Sequence, residues 1–284
     1  EDNGTLPAYL GSTIRGVLGH AMRRQVCIAP KLRCHLCNVA ENCDYAKHFN
    51  SPGNIAGSVN PFVIHVPIKN KRNWQRNDLL IFDITIFGSS TLAASYYISS
   101  VLSIGEYGLG VNRLLFSPVQ IINLYDNTLV WSNGRTWEDH LYPYLLRGKE
   151  RTANSVTLRF DSPTRILVKR KLQKRLTFMT VIQSLFTRIQ LLFHAYEGIK
   201  LNIDEEKWLE KAVEIRTVEE DWQFVDFERY SYTYNRKLQL PAIEGYVRYE
   251  GNLTPFTPIL EMGKVIQIGK NTTHGFGHYE LYYA

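Results

Sequence analysis

His20 is the first residue in this chain placed to do chemistry. Arg15 stands a turn and a half before it, and Arg23 and Arg24 follow within a turn. An imidazole gives or takes a proton near neutral pH, and guanidinium groups stabilise the charge that develops on a phosphate in its transition state. This face therefore suits acid–base work on a phosphate ester; a plain surface histidine on a helix is the alternative. Four cysteines, Cys27, Cys34, Cys37 and Cys43, follow as C-x6-C-x2-C-x5-C. Thiolates this close can hold a structural zinc ion, with His35 and His48 as substitute ligands. Only Cys34-x-x-Cys37 has zinc-ribbon spacing, so free thiols or a redox-sensitive pair stay open.

A second group of candidates lies near the end of the chain. Ile268-Gly269-Lys270-Asn271-Thr272-Thr273-His274-Gly275-Phe276-Gly277 joins a helical to a strand-like segment. Its glycines let backbone approach a ligand, and N–H groups with Lys270 favour an anion. An ordinary glycine-rich hairpin is the other reading. A Walker loop is excluded, because no G-K-[ST] opens a helix here. The run Lys169-Arg170-Lys171 with Lys174 and Arg175 has the character of a nucleic-acid phosphate contact, against the alternative of a solvated charge run. Its setting carries little compensating acid: between Arg147 and Arg175 there are ten Lys/Arg and two acids, whereas Asp204 to Glu228 holds ten acids and three Lys/Arg. His65 reads as a strand residue and His194 as a helix residue, both packing or surface positions. There is no G-x-S-x-G, no H-E-x-x-H and no acidic constellation of the kind that binds Mg²⁺.

The whole chain has 284 residues, 44% apolar and 21% charged, with a net charge of +6. That composition excludes wholesale disorder and gives one large domain or two small ones. No apolar run reaches the ~18 residues of a membrane-spanning helix. Clustering of all four cysteines between positions 27 and 43 points to a reducing cytosol, not a secreted disulfide framework.

Periodicity supplies the elements. Residues 9–26 read as a helix through Leu10, Ile14, Val17, Leu18 and Ala21, with Gly16 and Gly19 on a small face that implies close approach by a neighbour. A Cys/Asn/Pro/Gly loop fills 27–60. Strands are predicted at 61–67, 78–87 and 114–125, with a helix over 91–107. A split β-α-β unit begins with one more strand, which the visible N-terminus does not supply. The second half gives strand 155–168, helix 177–196, an acidic helix at 204–215, strands 222–234 and 242–249 about a turn at Asn235-Arg236, helix 254–266 and strand 276–283. The repeated order predicts an α+β protein of two tandem ferredoxin-like (RRM-like, βαββαβ) domains. The expected division is 1–127 with its cysteine loop, a docked linker over 128–154, and 155–284 with the glycine-rich loop at 269–277.

Leu6-Pro7-Ala8-Tyr9-Leu10-Gly11-Ser12-Thr13-Ile14-Arg15-Gly16-Val17-Leu18-Gly19-His20 resembles the first-helix signature of CRISPR-associated precursor-RNA processing endoribonucleases of the RAMP superfamily. The cysteine loop closing on Cys43-Asp44-Tyr45-Ala46 and Phe49 is similar to the subgroup with cysteines after this helix. Gly269-Lys270 … Gly275-Phe276-Gly277 resembles the family's glycine-rich loop. The resemblance implies cleavage within the repeats of a CRISPR transcript with no metal required. The 2′-OH beside the scissile bond attacks its own phosphate, leaving a 2′,3′-cyclic phosphate and a 5′-OH. It implies His20 as general base or acid, with His35 and His48 in reserve, and His274 as the second proton-transfer group or an RNA contact. Arg15 and Arg23 would stabilise the phosphorane, and Lys270, Asn271, Thr272 and Thr273 would hold RNA beside Arg24 and the basic run. Expected partners are repeat RNA, single-stranded or hairpin, and other CRISPR effector or adaptation proteins, in a prokaryotic cytoplasm and away from membranes. The helix has no tyrosine at its middle, where some members of the family use one; Tyr9 is the nearest. Two other readings stand beside this one: a non-catalytic RAMP-type subunit that binds guide RNA, and a zinc-stabilised DNA-binding or adaptor domain.

Overall fold

The computed structural model describes residues 3–50, 59–231 and 236–284. In chain order the elements are β1 (Gly4–Thr5), α1 (Gly11–Val26), α2 (Asp44–Phe49), β2 (Phe62–His65), β3 (Asn73–Trp74), β4 (Asp83–Ile86), α3 (Ala94–Leu102), α4 (Ile104–Tyr107), β5 (Gln120–Asn123), β6 (Thr128–Ser132), β7 (Arg135–Thr136) and β8 (Ser155–Thr164). There follow β9 (Leu167–Val168), β10 (Lys171–Leu172), α5 (Phe178–Glu197), α6 (Glu205–Val213), β11 (Arg216–Ser231), β12 (Arg236–Glu250), α7 (Thr257–Ile266) and β13 (Tyr279–Tyr283). The chain divides into two compact units. One is Glu1–Pro61, Ile68–Ile81 and Ile86–Leu146; the other is Phe62–Pro67, Phe82–Thr85 and Arg147–Ala284.

The second unit is built on an antiparallel sheet in the order β11-β12-β8-β13, the ferredoxin-like arrangement of a βαββαβ repeat. Alternation along β8 sends Val156, Leu158 and Phe160 into the core, where Val181, Ile182 and Leu185 of α5 are also buried. Each such side chain contributes about 1.5–3 kcal/mol. Aromatic edges lock this layer: Phe178 meets Tyr249 at 5.1 Å and Phe256 at 5.0 Å between centroids. The two buried phenols find carbonyls, Tyr249 donating to Leu176 and Tyr279 to Leu260. Helix α5 starts where the Thr177 hydroxyl accepts from the Thr180 N–H and stops at left-handed Gly198. The acidic helix at 204–215 is α6, capped by Asp204.

The first half of the sequence keeps the predicted helix and strand order with shorter strands. Helix α1 buries Ile14, Leu18, Ala21 and Met22, and α3 packs against it. A Cβ on Gly19 would meet the Phe49 ring at 2.8 Å, so the small face of α1 exists to seat the aromatic residue that ends α2. Among the described residues, a Cβ on Gly16 would meet nothing within 4 Å. The strand missing from the sequence pattern is β1, two residues paired with β3 and too short to leave a periodic signal. The strand expected over 114–125 shrinks to Gln120–Asn123, because Pro118 has no N–H to give a ladder.

The expected boundaries differ from the observed ones. Residues 128–136, read as linker, form β6 and β7 and join β5 in a three-stranded sheet, with Asn133 and Gly134 both left-handed at the turn. The division falls between Leu146 and Arg147, and the segments carrying β2 and most of β4 belong to the second unit. Residues 51–58 of the cysteine loop, and Asn235 of the predicted turn, lie outside the described residues.

Candidate functional site

In the first unit His20 is exposed on α1. Its imidazole stands edge-on to Tyr107 of α4, with centroids 5.4 Å apart and planes at 82°. Arg24, one turn along, holds its guanidinium 5.2 Å from the same phenol ring. An imidazole, a phenol and a guanidinium thus meet around one point of α1, which provides a proton-transfer group and a fixed positive charge side by side. Tyr107 is an aromatic partner of His20 that the sequence reading did not name. It comes from an element 87 positions further on by numbering, so no local spacing could reveal it.

The other arginines of this face are engaged elsewhere. Arg15 donates to the Phe49 carbonyl at 3.2 Å and lies over the Phe49 ring. Arg23 donates to the carbonyls of Pro30 and Leu32 at 3.0 and 3.1 Å and lies over Tyr45. Both therefore fasten the cysteine loop to α1, which leaves Arg24 as the exposed arginine beside His20. His35 lies in a turn at Cys34–Leu36, and His48 is buried, its Nδ1 2.8 Å from the Tyr97 hydroxyl. Burial pushes the His48 pKa down to about 4. Cys27, Cys34, Cys37 and Cys43 line one cavity of about 310 Å³. Yet among the described residues no three of their sulfurs come within 4.8 Å of one another. A tetrahedral zinc needs all four converging at about 2.3 Å.

In the second unit the glycine-rich loop is folded inward. Gly269, Asn271, Gly275 and Gly277 all have positive φ. Its N–H groups go largely to the protein: Lys270 to Arg165, Gly277 to Pro163, Ile268 to Gly277, His274 to Asn271 and Gly275 to Thr272. A Cβ on Gly277 would run into the Ile268 carbonyl. Thr272, Thr273 and His274 are buried, and β2 packs on them. Expected as an N–H cradle, the loop presents instead the Lys270 ammonium at its surface, with Asn271 half-buried. Arg165, whose carbonyl accepts from Lys270, carries a buried Nε without a partner among the described residues. Burial lowers its pKa.

The basic run forms the β9–β10 hairpin and its exit. Lys169, Arg170, Lys171, Lys174 and Arg175 are all exposed. Lys169 and Arg170 make the turn with φ of 47° and 66°. That left-handed geometry belongs to Asn and Gly, so two long cations are held there at a conformational cost. Arg175 donates through Nε to Glu220 at 2.6 Å, and Lys174 stands 6.0 Å from the Phe224 ring.

Sequence reasoning passed over one more cluster, also in this unit. His278 Nδ1 lies 2.7 Å from Asp161, His65 Nε2 lies 3.2 Å from Asp161, and His65 Nδ1 lies 3.2 Å from Asp83. The two imidazoles stack at 3.6 Å and 15°. Burial works to lower the His65 pKa, but hydrogen bonds to Asp161 and Asp83 push it up to about 9. Burial likewise opposes ionisation of Asp161, and hydrogen bonds from His278 and His65 overcome it, holding that carboxyl well below the usual range. His65 is therefore not a simple packing residue. The available signal was His278 directly after Gly277.

Residues 158–279 match the family CRISPR-associated endoribonuclease Cas6, and residues 1–144 match the AF_1859_N N-terminal domain. No curated protein sequence matches the chain. Among solved structures, a partial Cas6-RT-Cas1–Cas2 complex matches with TM-score 0.59 at 13% identity, over 100% of this chain and 44% of that one. A Cas6 product complex matches with TM-score 0.57 at 14% identity, over 98% and 95%. A Thermus thermophilus Cas6 matches with TM-score 0.54 at 13% identity, over 97% and 93%. The chain thus spans less than half of the Cas6-RT-Cas1–Cas2 chain it matches and nearly the full length of the two others. At these identities the likeness is one of fold, and it agrees with the tandem ferredoxin-like architecture.

Proposed function

We propose, from the match of residues 158–279 to the CRISPR-associated endoribonuclease Cas6 family, that the chain acts as a member of that family and cuts precursor CRISPR RNA within its repeats by metal-independent attack of a ribose 2′-OH. The observation that supports the chemistry is the cluster of exposed His20 and Arg24 around half-buried Tyr107. His20 takes the 2′-OH proton while water protonates the departing 5′-oxygen, or the two exchange these roles. The 2′-oxygen forms a bond to phosphorus as the P–O5′ bond breaks, so the products carry a 2′,3′-cyclic phosphate and a 5′-OH. Arg24 stabilises the phosphorane charge, and Tyr107 keeps the imidazole oriented by its ring edge. Acid–base groups of this kind contribute about 10²–10⁴-fold each.

RNA affinity on this reading comes from the second unit, through the exposed cations of the β9–β10 hairpin, Arg175 and Lys270. His274, buried at 7% exposure, supports the glycine-rich loop and does not transfer a proton. Zinc is given no part in the reaction. Association with adaptation proteins is a further part of the proposal, motivated by the fold match to the Cas6-RT-Cas1–Cas2 complex. The test is an end-labelled repeat RNA incubated in EDTA, alongside substrates carrying one 2′-deoxy nucleotide at each position in turn. One discrete cut, lost at a single deoxy position, supports the reading. Tight binding without a cut would favour the non-catalytic guide-RNA subunit instead.

A further inference from the structure

Asp83, His65, Asp161 and His278 form an unbroken file of carboxylate, imidazole, carboxylate and imidazole, all within the second unit. Four different segments supply them: β4, β2, β8 and the residue before β13. The proposed RNA chemistry uses none of the four. One ligand atom from each of His65, Asp161 and His278 lies within 4.8 Å of the others, and among the described residues no other His/Cys/Asp/Glu group of three does so.

We propose that His65, Asp161 and His278 bind a transition-series dication, zinc foremost, as a structural centre of the second unit. The donor set is two imidazole nitrogens and a carboxylate oxygen, which suits zinc and its neighbours and not the all-oxygen preference of Mg²⁺ or Ca²⁺. Asp83 supplies the supporting shell. It faces His65 Nδ1, so it fixes the N–H there and leaves Nε2, the nitrogen facing Asp161, as the metal ligand. The two ring centroids lie 3.6 Å apart, and the Asp161 carboxylate reaches a nitrogen of each ring. A metal lies in the plane of each imidazole, so binding rotates the rings out of their 15° stack. The charge also fits, since two carboxylates face two imidazoles and a dication neutralises the pair. The side chains of the three ligands are 12–27% exposed, which leaves an entry path and a fourth position for water. Such an ion would pin β2 to β8 and to the start of β13 beside the glycine-rich loop.

The test uses the full chain, stripped with EDTA and dialysed, and it does not depend on RNA cleavage. Zinc is titrated calorimetrically into the wild type, His278→Gln, Asp161→Asn, and a Cys34→Ser/Cys37→Ser double variant, with thermal unfolding read in parallel. The expected result is one equivalent bound and a melting temperature raised by several degrees, unchanged in the cysteine variant and lost in both His278→Gln and Asp161→Asn. Excess Mg²⁺ does not compete. Cobalt bound to the wild type gives visible d–d bands without a strong thiolate charge-transfer band, a readout that needs no variant to fold. Absence of binding, binding that survives either ligand substitution, or a cobalt spectrum dominated by thiolate would overturn the site and leave the file as a hydrogen-bonded ion network only.

Discussion

Lowering the pH from 7.5 to 4 tests how His48 anchors the cysteine loop. The residue is 1% exposed, its Nδ1 is 2.8 Å from the Tyr97 hydroxyl, and its carbonyl accepts from the Asn60 amide at 2.5 Å. Burial is the main cause of its lowered pKa. Lys47 lowers it further, and Asp44 pulls the other way. In the unfolded chain the imidazole takes a proton near 6.5, whereas in the fold it resists until about 4. The sign follows: the neutral ring's contribution is complete above pH 6.5 and is lost as the pH falls through 4, because only the unfolded chain gains the proton in between. A gap of about 2.5 units at about 1.4 kcal/mol each, less the half-titration at the end point, is about 3 kcal/mol. That is a large share of the 5–15 kcal/mol typical of a folded domain. Urea unfolding of the wild type and of His48→Gln, which does not titrate, is compared at steps between pH 7.5 and 4. Subtracting the curves removes every other titrating group. The wild type is expected to lose about 3 kcal/mol more than the variant, and parallel curves would refute the reasoning.

Replacing Lys169-Arg170 by Asn-Gly relieves the left-handed turn and should raise stability by about 1–2 kcal/mol in denaturant unfolding. The same change should weaken RNA binding and flatten the slope of log affinity against log salt by about 0.7 for each phosphate no longer neutralised; an unchanged slope would remove the hairpin from the RNA surface. Gly277→Ala places a Cβ at φ +81° against the Ile268 carbonyl, so it should cost about 2 kcal/mol or more and lower the melting temperature by roughly 5 °C. A melting temperature within a degree of wild type would show that the loop is not packed as described.

The second unit was legible because its elements are long and regular. The period-two run Val156, Leu158, Phe160 and the helical stripe Val181, Ile182, Leu185 both report a buried face, and they fall where the structure has them. The Asn133-Gly134 turn carried a hairpin signal as well, but the short strands on either side gave it no periodic context. β1, with two residues, gave none at all. His20 and the cysteines were found by type and spacing. What spacing cannot reveal is which charges the fold has already used: Arg15 and Arg23 face loop carbonyls, and the glycine-rich loop spends its N–H groups on its own backbone and on β8's end. Tyr107 beside His20, and Asp161 between His65 and His278, are tertiary meetings of residues far apart in the chain.

Proton transfer by His20, with Arg24 and Tyr107 in support, is the step on which the proposed cleavage rests. Single-turnover cleavage of a repeat RNA in EDTA by His20→Ala, with binding measured on the same preparation, addresses it without an intermediary. Loss of at least about 100-fold in cleavage rate with RNA affinity within a few-fold of wild type is the predicted result. Cleavage by His20→Ala at the wild-type rate would contradict it.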